Sequence, residues 1–180
     1  MCARPLGGLH SARVVLYSAD FAEIEALQHQ GNWQATAEIL AAAVSIPLLH
    51  IADATAQVLQ RQGIACVGLL GTRFTMEQAF YIERLQRHGI EVVVPTEPKR
   101  ERVHTVIYQE LCLGVVKAEA KADYLAIIEA LAERGAQGVI LGCTEIGLLV
   151  QQADTPVPLF DTTEIHAEQA VQWALGHGFV

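Results

Sequence analysis

Two short stretches of this chain hold residue types able to do chemistry. The first is Gly138-Val139-Ile140-Leu141-Gly142-Cys143-Thr144-Glu145-Ile146. Its apolar run reads as a buried strand that stops at a Gly-Cys-Thr-Glu turn before another apolar segment. Cys143 therefore falls where a strand hands over to a helix, the usual place for ligand chemistry in an open α/β sheet. Free N–H groups and the positive helix end favour negative charge there, a thiolate included. A free cysteine has a pKa of about 8.5, so such a site makes a usable base or nucleophile near neutral pH. A buried, inert cysteine packed like a small hydrophobe fits the local sequence equally well.

The second stretch is Thr72-Arg73-Phe74-Thr75, directly after the apolar run over residues 65–71. Two hydroxyls, an arginine fork and helix-start N–H groups suit a small carboxylate, which arginine matches in a bidentate way. One of Thr72 and Thr75 also serves naturally as the cap of the following helix, and capping does not exclude a ligand. The strands before the two stretches echo one another, since Val67-Gly68-Leu69-Leu70-Gly71-Thr72 and Val139-Ile140-Leu141-Gly142-Cys143-Thr144 both end in a glycine and a threonine. Two strand ends of this type can face one pocket.

The elements that must position these residues alternate along the chain. Strands are predicted over residues 13–19, 46–51, 65–71, 90–95, 138–142 and 157–160. Helices are predicted over 21–43, 53–62, 75–88, 100–112 and 117–134, from about 145, and over 163–175. The 117–134 helix has a clear 3.6-residue stripe in Ala120, Tyr124, Ile127, Ile128 and Leu131, and Gly135 ends it. Ala167, Ala170, Val171 and Ala174 are expected to line the buried side of the last helix. Strands separated by helices imply parallel βαβ units, hence an α/β fold.

Composition narrows the function classes. The chain is 52% hydrophobic and 18% charged, with 12 basic against 20 acidic residues and a net charge of −8. It has no basic stretch beyond Lys99-Arg100-Glu101-Arg102, so nucleic acid and anionic membranes are poor partners. No apolar run approaches a membrane span, and the first residues lack a charged-then-apolar signal. The cysteines Cys2, Cys66, Cys112 and Cys143 are widely separated, which argues for reduced thiols in a cytoplasm rather than a disulfide framework. The histidines are scattered too, and no metal site is expected.

Several ordered motifs together resemble the aspartate/glutamate racemase family. They are Gly-Leu-Leu-Gly-Thr-Arg-Phe-Thr-Met (68–76), Glu-Leu-Cys-Leu-Gly (110–114), Leu-Gly-Cys-Thr-Glu-Ile (141–146) and Asp-Thr-Thr-Glu-Ile-His-Ala (161–167). Gly-Gly-Leu-His-Ser-Ala (7–12) with Ser-Ala-Asp-Phe (18–21) extends the match over nearly the whole chain. The resemblance implies a cofactor-independent enzyme of two pseudo-symmetric lobes, parallel sheets flanked by helices, with the site between them. It assigns residues 1–64 and 161–180 to a first, incomplete lobe and residues 65–160 to a second lobe carrying Cys143. A homodimer acting on a small acidic amino acid is expected. Inverting a stereocentre requires opposed groups of similar acidity, one on each face of the α-carbon. Without pyridoxal phosphate, hydrogen bonds and positive charge must stabilise the carbanion.

Carried over by motif, Cys143 is one of the two bases, flanked by Thr144 and Glu145, which orient the thiol or the substrate amine. Thr72, Arg73 and Thr75 are expected substrate contacts, and Gln28 a weaker one. Glu110 is either a buried motif residue near the site or an ordinary exposed helix glutamate. For His166 a structural hydrogen bond is expected over a role in the cleft. The family's first catalytic residue, in a Cys/Thr-x-Asn-Thr-x-His turn, has no counterpart, since the chain passes from Glu38-Ile39-Leu40-Ala41-Ala42-Ala43 to Ser45-Ile46-Pro47-Leu48-Leu49-His50. By the same resemblance, the chain is expected to open at what normally follows the family's first strand. Cys66 precedes the wrong strand and Cys112 is expected within a helix, so neither substitutes in any obvious way. A racemase of impaired activity, a single-cysteine carbon–acid enzyme such as a decarboxylase, and a non-catalytic remnant all follow from this pattern.

Overall fold

The structure, a computed structural model, describes residues 49–175, and Leu49–Val171 form one compact unit. Gln28, the motifs at 7–21 and the elements expected before residue 46 lie outside the described residues. Four parallel strands form the sheet: β1 (Cys66–Leu70), β2 (Glu91–Val93), β3 (Val139–Leu141) and β4 (Leu159–Asp161), in the order β2-β1-β3-β4. The helices are α1 (Ile51–Arg61), α2 (Arg73–Glu77), α3 (Ala79–Arg87), α4 (Lys99–Gln109), α5 (Ala118–Glu133), α6 (Ile146–Leu149) and α7 (Thr162–Ala174). This is the α/β class that the alternation of elements predicts.

The central strands are apolar throughout because both of their faces are covered. Val67, Leu69, Leu70, Val139, Ile140 and Leu141 are all buried. Helix α5 presents the predicted stripe, with Ala120, Tyr124, Ile127, Ile128 and Leu131 inward. Leu131 lies so close to β1 that a Cβ at Gly68 would meet its Cδ1 at 2.9 Å. Gly68 is therefore what lets α5 seat against the sheet. Gly135, in the left-handed region at φ 98°, ends α5 as expected.

The chain order sets the position of the site. From β1 the chain moves out to β2 on one side, then returns across β1 to β3 on the other. The connections leaving β1 and β3 thus diverge, which is the switch-point arrangement of an open α/β sheet. Leu70 pairs with Leu141 at this end, and Leu141 pairs in turn with Asp161.

Four sequence expectations need correction. Leu49 and His50 are not strand; His50 instead caps α1, its Nδ1 accepting from Ala52 N–H at 3.1 Å. The single helix predicted over 75–88 is two, α2 and α3, broken at Gln78, whose backbone is extended at φ −81° and ψ 139°. Met76 and Tyr81 are both buried, and their five-residue interval cannot share one face of a straight helix. Cys112 is not helical in the α sense, because α4 stops at Gln109 and a 3₁₀ turn (Leu111–Leu113) follows. Ala167, Ala170, Val171 and Ala174 line the exposed side of α7, with Val171 55% exposed. That helix is anchored through its first turn, where Thr162 and Ile165 are the buried residues.

Candidate active site

Thr75 and the glycine that precedes Cys143 meet where β1 and β3 end. Gly142 N–H donates to Leu70 O at 2.7 Å and holds the two strand ends together. Thr75 packs against both ends: a Cβ at Gly71 would meet Thr75 Cβ at 2.9 Å, and one at Gly142 would meet Thr75 Cγ2 at 3.3 Å. The glycines of the two echoing strands are thus what lets Thr75 approach. Thr72 caps α2, its Oγ1 accepting from Thr75 N–H at 3.4 Å, and the two hydroxyl oxygens stand 3.2 Å apart. Capping is therefore the work of Thr72, and both hydroxyls remain part-buried beside the strand that leads to Cys143.

Cys143 is half-buried, with one side packed against the apolar core. Its Sγ donates to Glu145 Oε2 at 3.0 Å. Burial, with the hydrogen bond and negative charge of Glu145 behind it, pushes the thiol up to about 12. The Glu145 carboxyl is held below its ordinary value, first by the Cys143 thiol and then by the Thr144 hydroxyl. This reverses the expectation of a thiolate favoured by a helix end. Helix α6 begins three residues later and is only four residues long, so its dipole is small, while a carboxylate faces the sulfur directly. At rest Cys143 is a protonated donor bound to a carboxylate.

Arg73 is placed differently from the two threonines. Its guanidinium is paired with Glu101 and lies 3.8 Å from both Glu77 and Glu97. Its main-chain N–H donates to His104 Nδ1 at 3.2 Å, which fixes the entry to α2. A ligand carboxylate would have to displace a glutamate to use this arginine. His166 takes the structural role expected of it, its Nε2 lying 3.0 Å from Leu49 O.

Glu110 is the one buried carboxylate among the described residues. Its Oε1 receives Arg102 at 3.4 Å and Lys117 at 3.5 Å, while its Oε2 is buried without a hydrogen-bond partner. The buried-motif reading of this residue holds, and the exposed-helix reading does not. Three supporting residues escaped sequence reasoning. Tyr124 donates to Val103 O at 3.0 Å, and burial, then the charge of Cys143, raises its phenol. Thr162 donates to Leu141 O at 3.0 Å and secures the end of β3. Asp161 Oδ1 accepts from Thr163 and Glu164 N–H at 2.8 and 3.3 Å, capping α7, while its Oδ2 would meet a Cβ at Gly147 at 2.8 Å. The Asp-Thr-Thr-Glu run carries that capping signal in the sequence. Among the described residues no group of three His, Cys, Asp or Glu is placed to hold a metal, and no helix is long and apolar enough to cross a membrane.

A parallel four-stranded sheet flanked by helices, in the order β2-β1-β3-β4, places the chain among the open α/β proteins. The family model for Asp/Glu/hydantoin racemases matches residues 32–170, and the chain belongs to that family. A crystal structure of a proposed Asp/Glu racemase from Yersinia pestis is 47% identical with a TM-score of 0.85, covering 94% of this chain and 87% of its own. An aspartate racemase homologue from Pyrococcus horikoshii OT3 is 33% identical with a TM-score of 0.72, covering 86% of this chain and 72% of its own. An uncharacterised protein from the pnlA 3′ region of Pectobacterium carotovorum subsp. carotovorum is 26% identical over 132 residues, 72% of this chain and 87% of that protein.

Proposed function

We propose that this chain is a cofactor-independent isomerase that moves a proton at the α-carbon of aspartate or glutamate, with Cys143 as the proton-transfer group. The observation that carries this reading is the Cys143 thiol bound to Glu145 at the β1/β3 switch point of a racemase-family fold. Cys143 delivers its proton to one face of the α-carbanion. In the reverse direction the thiolate removes it, and Glu145 holds the thiol in line between turnovers. Thr72, Thr75 and Thr144 contact the substrate, and Arg73 accepts its carboxylate in exchange for Glu101. Gln28 is a further contact in this reading, the protein works in the cytoplasm, and the assembly is a homodimer.

One observation favours a second reading. A thiol that rests protonated against a carboxylate suits delivery of a proton to a single face. That is sufficient for a carbanion left by loss of carbon dioxide, which needs no opposed base. Incubation of L- and D-aspartate and of both glutamate enantiomers in deuterium oxide separates the possibilities. Inversion with deuterium at the α-position is the outcome expected of a racemase. Exchange without inversion means that only the Cys143 half-reaction operates. No exchange, with only a ligand-induced rise in Tm, leaves a binding protein and rejects the proposal.

A further inference from the structure

Glu110 and the turn that follows it bring a second thiol to the side of the Cys143 segment. Glu110 N–H donates to Val106 O and closes α4, while Glu110 O accepts from both Leu113 and Val115 N–H. Its carboxylate takes Lys117 at the far end of the turn and Arg102 on α4. The turn is therefore pinned at both ends to one buried residue. Within it, Cys112 is an exposed free thiol. The 3₁₀ turn (Leu111–Leu113) packs against α6 (Ile146–Leu149), the helix that directly follows Cys143 and Glu145. Cys112 is the middle residue of that turn, and α6 begins three residues after Cys143.

We propose that Cys143 is the resolving partner of Cys112, and that a hydroperoxide joins the two in an intramolecular disulfide. The inference goes beyond the proton-transfer reading and does not depend on turnover. In the first step the exposed Cys112, as thiolate, attacks the peroxide. One oxygen is added to give a sulfenic acid, and the peroxide is reduced to water or an alcohol. In the second step Cys143 sulfur attacks the sulfenic sulfur. Its proton passes to Glu145 Oε2 and on to the departing hydroxide, so the S–S bond forms as water leaves. Both electrons go to the hydroperoxide, and two thiol hydrogens are lost overall. The product leaves Cys143 without a proton to give and anchors the exposed turn to the site. A thiol reductant restores it.

The test is to treat the folded full chain with hydrogen peroxide, block free thiols with iodoacetamide, and digest with trypsin without reduction. The expected result is joint loss of labelling at Cys112 and Cys143. Peptides 103–117 and 135–180 should be joined, separable by dithiothreitol, and absent as a pair from Cys112→Ser. Circular dichroism of Cys112→Ser verifies that the variant is folded. Cys112 joined instead to Cys2, to Cys66 or to another copy would overturn the proposal. So would both thiols carried separately to sulfinic acid. Because the readout is a mass, loss of the racemase reading would leave this result intact, and the converse also holds.

Discussion

The sulfur of Cys143 and the Oε2 of Glu145 stand 3.0 Å apart, with the thiol donating to the carboxylate. Burial and that relationship, more than any helix end, set the acidity of the thiol. The resting thiol is a hydrogen-bond donor to a carboxylate rather than a ready base.

Replacing Glu145 by Gln removes the negative charge that opposes thiolate formation. The pH midpoint for alkylation of Cys143 should then fall from about 12. Peptide-resolved iodoacetamide rates between pH 7 and roughly 11 measure this shift against free cysteine at about 8.5. An unchanged midpoint would show that burial alone holds the proton.

Thr72 and Thr75 separate capping from binding. Thr72→Val removes the α2 cap and should cost about 1 kcal/mol of stability. Thr75→Val keeps the β-branched contact with Gly71 and Gly142 but loses the hydroxyl. It should leave urea stability within a few tenths of a kcal/mol and weaken aspartate or glutamate binding roughly tenfold. Equal affinity in calorimetry would remove Thr75 from the substrate contacts.

Gly138 faces the ring of Phe160 so closely that an added Cβ would lie 2.6 Å from Cε2 and 2.9 Å from Pro158 O. Gly138→Ala should therefore destabilise the β3/β4 pairing by about 1–3 kcal/mol. Gly114, at φ 72° with open space around it, should lose only the backbone strain of about 1 kcal/mol on the same change. Urea midpoints of the two variants compare them directly.

Asp53 is held at about 2, first by its two-pronged bond with Arg84 at 2.7 and 2.7 Å, with His88 Nε2 at 3.1 Å as a further partner. A depressed carboxyl stabilises the fold above its ordinary pKa, and this contribution disappears as pH falls through the folded value. The window is from about 4 down to about 2. Because the group is partly solvated, Asp53→Asn should cost on the order of 1 kcal/mol near neutrality. The difference between wild type and variant in thermal melts should close toward pH 2.

Much of this arrangement is readable from residue order. The α5 stripe, the apolar β1 and β3, and the Gly-Cys-Thr-Glu turn appear because burial imposes a period of its own on helices and strands. The capping role of Thr72 follows from its place before a helix. What residue order could not show is equally specific. Periodicity runs through Gln78 without marking the break between α2 and α3. It buries Ala167 and Val171 because it cannot tell which neighbour a helix meets. Arg73 looks free in the sequence, yet Glu101, brought beside it by α4, occupies its guanidinium.

Residue types and spacing by themselves determined the α/β class and the family. Only tertiary structure decided that the Cys143 proton stays on sulfur, that Glu110 is buried, and that Cys112 sits beside α6. The reason is physical: periodic burial is written locally along the chain, whereas acidity and pairing depend on which charges the fold brings within a few ångströms.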